Sequence, residues 1–138
     1  MILLIDDEKD RVNRWREELD KIDKLHYEHS AAGALAYFDD AELMAQIQIV
    51  VLDLALYTSG GLSEKETDFG RLTGEVLRQR LRKSGWPGKI VVLSNSADQA
   101  IRAKIESDGD RFFRKPETLP SQLSQEIVKL MEGQVARA

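Results

Sequence analysis

The chain alternates between two kinds of segment. ILLID (2–6), IQIVVLDL (47–54) and KIVVLSN (89–95) are short runs rich in isoleucine, valine and leucine. Such runs read as strands, and near-continuous apolarity marks strands buried on both faces of a parallel sheet. The stretches between them repeat at helical spacing. EKDRVNRWREELDKI places Val12, Trp15, Leu19 and Ile22 on one face with charge opposite. LHYEHS (25–30) reads as a more exposed strand, and AAGALAYFDDAELMAQ (31–46) as one helix weakened by Gly33. A helix starting near 69–74 runs through EVLRQRLRKSG with Leu72, Val76, Leu77 and Leu81 inward, ended by Gly85 and Pro87. SADQAIRAKIES (96–107) is a helix and RFFRKP (111–116) a fifth strand stopped by its proline. SQLSQEIVKLME (121–132) closes the chain as a helix with Leu123, Ile127, Leu130 and Met131 inward. Five strands and five helices in alternation predict an α/β fold, a parallel sheet with helices on both faces, in one domain over 1–138.

Composition removes several kinds of chemistry. There is no cysteine, which excludes disulfides, thiolate metal sites and cysteine nucleophiles. The net charge of −4 lacks the footprint of a nucleic-acid binder, so no direct nucleic-acid binding is expected. His26 and His29, three apart on an expected strand, face opposite sides and are not expected to share a metal. No apolar stretch approaches the roughly 20 residues of a membrane span, and MILLIDDEK turns acidic too soon for a signal peptide. A cytoplasmic protein without membrane contact is the expectation.

In open parallel sheets, ligands sit beyond the carboxyl ends of the strands. At those ends this sequence places Asp6-Asp7-Glu8, Asp53, Ser94-Asn95-Ser96 and Lys115-Pro116. Clustered carboxylates raise one another's pKa unless a cation joins them. Oxygen ligands from Asp6, Asp7 and Asp53, with room for water, suit Mg²⁺. A metal, an ammonium and a hydroxyl beside a carboxylate suit a phosphoryl group. With no cysteine and no well-placed histidine, the acceptor is a carboxylate, giving an aspartyl phosphate.

ILLIDDE, VVLDL, VVLSNS and FFRKP, in that order, resemble the receiver domains of two-component response regulators, the CheY-like family, over essentially the whole chain. The resemblance implies a flavodoxin-like doubly wound (βα)5 sandwich with strand order 2-1-3-4-5. It implies that Asp53 accepts a phosphoryl group from a histidine kinase or phosphotransfer protein. Asp7 would bind Mg²⁺ directly, Asp6 largely through water, and Ala55 through its backbone carbonyl. Ser94 would be the switch hydroxyl, Lys115 the ammonium paired with the phosphate, and Phe112 the switch aromatic. The Lys115–Pro116 bond is typically cis in that family. Such a domain is a signalling phosphoacceptor rather than an enzyme, and passes its state to a downstream protein or effector domain.

The sequence departs from the family in places. Tyr57 stands where a proline is common, and the glycine of the third helix is matched by Gly74, implying an insertion within about 57–73. That segment shows no clear period and reads as a loop, either a lid beside the site or a docking loop. Asn95 stands where a small residue is usual, and Ala55 and Ser96 are short, so no strong acceleration of phosphate hydrolysis is expected. The face of the fourth helix, fifth strand and fifth helix mixes Arg102, Lys104 and Lys129 with Glu106, Asp108 and Glu126, which suits solvent or a salt-bridged homodimer. Two other readings stand beside this one: a receiver-like interaction module that takes no phosphate, and a Mg²⁺-dependent phosphohydrolase of the haloacid-dehalogenase type. Asp6-Asp7-Glu8 lacks the Asp-x-Asp of the latter.

Overall fold

In the computed structural model, residues 1–56, 62–68 and 70–137 are described, with side chains through Gly133. The strands are β1 (Ile2–Ile5), β2 (Leu25–Glu28), β3 (Ile49–Leu52), β4 (Lys89–Ser94) and β5 (Arg111–Arg114). The helices are α1 (Asn13–Asp20), α2 (Ala31–Phe38), α3 (Ala41–Met44), α4 (Glu64–Thr67), α5 (Thr73–Lys83), α6 (Gln99–Ser107) and α7 (Pro120–Arg137). All strand pairings are parallel and the order is β2-β1-β3-β4-β5, the doubly wound arrangement expected.

Strand periodicity divides the core in two. Leu3, Ile5, Val50, Leu52, Ile90, Val92 and Phe112 face α2, α3, α5 and α6, meeting Ala34, Met44, Leu77 and Ile105. Ile2, Leu4, Ile49, Val51, Val91 and Leu93 face α1 and α7, meeting Trp15, Leu19, Leu123 and Ile127. Both faces of β1, β3 and β4 are therefore covered, which is why their sequences are apolar throughout rather than alternating. The register sets Ile5 beside Leu52 and Leu52 beside Val92, so the residues that follow these strands emerge along one edge.

Among the described residues seven helices stand where five were expected, and polar side chains account for the difference. The 31–46 helix is two helices, because Asp40 Oδ1 accepts from the Leu43 N–H at 3.1 Å and starts a new N-terminus. The first helix begins at Asn13 rather than near Glu8; before it, the Glu8 and Lys9 N–H groups turn back to Asp6 Oδ1 and the Asp7 carbonyl. The fifth strand ends at Arg114, and Lys115–Glu117 form a 3-10 turn. No cis peptide occurs among the described residues, so the Lys115–Pro116 bond is trans, the isomer X-Pro bonds ordinarily favour. The closing helix runs on past 132 to Arg137.

The segment read as an irregular loop also carries structure. Ser63 and Glu66 form a capping box, with Ser63 Oγ accepting from Glu66 N at 3.0 Å and Glu66 Oε1 accepting from Ser63 N at 3.3 Å. The resulting turn, α4, ends at Asp68 in the left-handed region at φ 51°. Thr67 is fully buried; its hydroxyl donates to Ser63 O at 2.9 Å and accepts from Gly70 N at 3.2 Å. The Thr73 hydroxyl donates to Leu56 O at 2.8 Å, and Leu56 N donates to Gly70 O at 3.1 Å. Residues 62–73, where described, are thus stitched to the end of β3. Tyr57 lies outside the described residues.

A buried ionic cluster lies away from the strand ends. Arg78 on α5 has no exposed surface, and donates to Glu75 at 2.8 and 2.9 Å, Asp108 at 2.9 Å and Asp110 at 2.8 Å. Arg82 also pairs with Asp110 and donates to the Gly88 carbonyl at 2.9 Å. The cluster ties α5 to the turn between α6 and β5. Arg78→Met is expected to cost about 2 kcal/mol in a urea titration, less than breaking a fully buried pair, because Asp110 keeps Arg82.

Candidate functional site

The strand ends meet in one acidic pocket. Asp6, directly after β1, Asp53, directly after β3, and Ser94, the last residue of β4, are buried, as is Lys115, directly after β5. Lys115 Nζ lies 2.8 Å from Asp6 Oδ2 and 2.8 Å from Asp53 Oδ2, and 3.5 Å from Glu8 Oε2. Each carboxylate keeps its other oxygen on backbone. Asp6 Oδ1 accepts from Glu8 N at 2.9 Å, and Asp53 Oδ1 accepts from Ala55 N at 3.3 Å. Asp53 N itself donates to the Ile5 carbonyl at 3.0 Å, which fixes the two strand ends side by side.

Electrostatics follow from this packing. Burial pushes the Asp53 carboxyl up; Lys115 and a hydrogen bond from Ser94 pull it back, Asp6 adds to the rise, and the pKa stays above the ordinary aspartate value. Burial works against the Lys115 ammonium, yet Asp53 and Asp6 outweigh it, and its pKa is raised. Lys115 is therefore a fixed cation between two carboxylates.

The close approach of α5 completes the pocket floor. A Cβ at Gly74 would lie 2.0 Å from the Asp53 carbonyl oxygen and 2.7 Å from the Leu54 Cα. Gly74 N donates to Leu54 O at 2.8 Å. Only glycine allows the helix to start against the strand that carries Asp53, which bears on the matching of Gly74 to the third-helix glycine.

Other expected residues take clear positions. Asp7 lies at the surface beside the pocket, partly buried, and Ala55 is exposed next to Asp53. Asn95 is exposed and its amide donates to Glu8 Oε1 at 3.5 Å, across the pocket mouth. Ser94 Oγ accepts from Ser96 N at 3.3 Å. Phe112 is not beside the carboxylates: it is buried in the core under α6, with the Arg102 guanidinium 5.3 Å from its ring centroid. His26 pairs with Glu28 at 2.7 Å and stacks on Tyr37, far in sequence and in role from the strand-end set. A cleft of about 520 Å³ opens beside Lys115, between Arg11, Arg14, Trp15 and Asn95.

Asp6, Asp7, Glu8 and Asp53 bring more negative charge than Lys115 neutralises, and all the donors are oxygens. Among the described residues no three side chains are grouped closely enough to hold a metal between them. The oxygen-only donor set suits Mg²⁺, which commonly takes one or two carboxylates and keeps several waters. Sequence reasoning missed Tyr27, whose hydroxyl donates to the Asp6 carbonyl at 2.5 Å. On a strand read only as exposed, nothing in the sequence marks such a contact.

No protein-family model matches the chain, and no curated protein matches it. Solved structures do match. A response regulator receiver domain protein from Clostridium thermocellum superposes with a TM-score of 0.77 at 19% identity, covering 99% of this chain and 98% of its own. A CheY-like receiver domain protein from Methanospirillum hungatei gives 0.75 at 14%, covering 99% and 97%. The beryllofluoride-activated DrrB receiver domain gives 0.71 at 16%, covering 95% and 96%. With strand order, helix layers and near-complete coverage in agreement, the chain has the fold of a CheY-like response regulator receiver domain.

Proposed function

We propose that this chain is a phosphoacceptor: Asp53 takes a phosphoryl group from a phosphohistidine of a kinase or phosphotransfer protein, and the change is passed to a protein partner. The observation that carries the reading is Lys115, buried and shared at 2.8 Å between Asp53 and Asp6, with the buried Ser94 at the neighbouring strand end. An Asp53 oxygen attacks phosphorus, the P–N bond breaks, and its electron pair leaves on the imidazole nitrogen, which takes a proton. Asp53 is positioned for this by its backbone bond to Ile5 and by the Ala55 N–H. Lys115 neutralises a phosphoryl oxygen as charge moves onto the group, and the Ser94 hydroxyl donates to another. Mg²⁺, taken directly by one or two of the Asp6, Asp7 and Asp53 carboxylates and otherwise through water, with the Ala55 carbonyl, would supply further charge neutralisation.

Output through α6, β5 and α7 is the accompanying reading. Much of the charge there is matched within the chain: Arg102 with Glu106 at 3.0 Å, Lys129 with Glu126 at 3.7 Å, Asp108 with Arg78 at 2.9 Å. Val128 on α7 and Leu119 just before it stand exposed, and a partner or a second copy would cover them.

Mg²⁺-dependent beryllofluoride binding, followed by Trp15 fluorescence and amide NMR, tests the reading. Saturable binding at millimolar Mg²⁺, abolished in Asp53→Asn, is the expected result. No binding by the wild type would leave an interaction module instead. Steady turnover of a phosphomonoester would point to the phosphohydrolase.

A further inference from the structure

We propose that Tyr27 is a positioning residue of the acidic pocket: its hydroxyl locks the Asp6–Asp7 peptide and so sets Asp7 for a divalent cation. The inference rests on the Mg²⁺-dependent reading above. Tyr27 lies on β2, opposite Leu4 of β1, and its ring is partly buried on the side of the sheet covered by α1. From there it reaches past the end of β1, and its hydroxyl donates to the Asp6 carbonyl at 2.5 Å. The Arg16 guanidinium sits 4.7 Å from the ring centroid and holds the ring from the α1 side.

The geometry has a direct consequence for Asp7. The peptide unit is planar, so fixing the Asp6 C=O fixes the plane from which the Asp7 backbone departs. The next carbonyl, that of Asp7, accepts from Lys9 N at 2.9 Å, so the peptides on both sides of Asp7 are held. Every polar group of Asp6 has a partner: its N–H donates to Glu28 O at 3.1 Å, its carbonyl accepts from Tyr27, and its two carboxylate oxygens accept from Glu8 N and Lys115. Of these, the Tyr27 bond is the one made by a side chain outside the pocket, so it can be removed without touching a donor to the metal. Partners that orient metal ligands without touching the metal typically change affinity about 10–100-fold when removed.

The test uses Mg²⁺ alone, titrated into wild type, Tyr27→Phe and Tyr27→Leu, read by Trp15 fluorescence and the Asp7 amide resonance. Urea unfolding is measured in parallel. Tyr27→Phe keeps the ring beneath Arg16, so its unfolding midpoint should move little while its Mg²⁺ dissociation constant rises about 10-fold. Tyr27→Leu should lose further stability but little further Mg²⁺ affinity. Unchanged Mg²⁺ affinity in Tyr27→Phe, with binding by the wild type intact, overturns the role of Tyr27 and leaves the phosphoacceptor reading standing. Affinity lost only in step with the unfolding midpoint overturns it too, because the hydroxyl would then be merely structural. Absence of Mg²⁺ binding by the wild type overturns both.

Discussion

Lys115→Met is expected to lower the unfolding free energy by about 3–5 kcal/mol at neutral pH, the usual cost of leaving buried charge unpaired. Lys115 is the cation that Asp6 and Asp53 share, and both are buried. Methionine fills nearly the same volume, so the loss reports the missing charge rather than a cavity. Asp53→Asn added to Lys115→Met should recover a large part of it, because one of the two stranded carboxylates becomes neutral. Alone, Asp53→Asn is expected to be at least as stable as wild type at neutral pH. The sign comes from the raised Asp53 pKa: the native state favours the protonated form, so the stability this group confers is full below the ordinary aspartate pKa. It is lost as pH rises through the folded-state value. The advantage of Asp53→Asn should therefore shrink as pH falls into the carboxylate range, and so should the deficit of Lys115→Met. Lys115 behaves in the opposite region: its raised pKa confers stability fully below the ordinary lysine value and loses it only in strong alkali. Urea titrations of the four proteins of this cycle at several pH values measure all of it, and an unaltered midpoint for Lys115→Met would refute the shared-cation account.

Gly74→Ala is expected to cost about 3 kcal/mol, at the upper end of ordinary overpacking. The added methyl would meet the backbone of Asp53 and Leu54, which cannot rotate aside as a side-chain tip would. Relief requires α5 to withdraw, breaking the Gly74 N–H bond to the Leu54 carbonyl. Because the displaced strand end carries Asp53, beryllofluoride affinity should fall along with stability. Gly133→Ala, at a helical glycine where an added Cβ meets nothing, is the control: it should leave beryllofluoride affinity unchanged and stability unchanged or slightly higher.

The strands and their order of burial were legible because apolar periodicity is local: β1, β3 and β4 announce themselves residue by residue. The polar strand ends were legible because one edge of a parallel sheet collects them, and Asp6, Asp53, Ser94 and Lys115 do converge. Arg78 was not, since it sits beside Leu77 on an amphipathic helix and reads as solvent-facing. Its burial depends on Asp108 and Asp110, about 30 residues away in sequence. The capping box in SEKE was readable from its Ser-x-x-Glu spacing and was masked by the surrounding glycines. Asp40 likewise carried a helix-start signal inside a run that composition made look continuous. Tyr27 and its bond to Asp6 depend on tertiary reach, which strand alternation does not encode.

The strand order leaves two strands, β2 and β5, with one side unpaired among the described strands. An open strand edge is a template for indiscriminate pairing with other chains. Here each edge strand is only four residues long. β5 begins and ends in arginine, and β2 carries His26 and Glu28. Short length and charge at both borders discourage ladder extension, so aggregation by edge pairing is resisted at the same two strands that flank the apolar centre of the sheet.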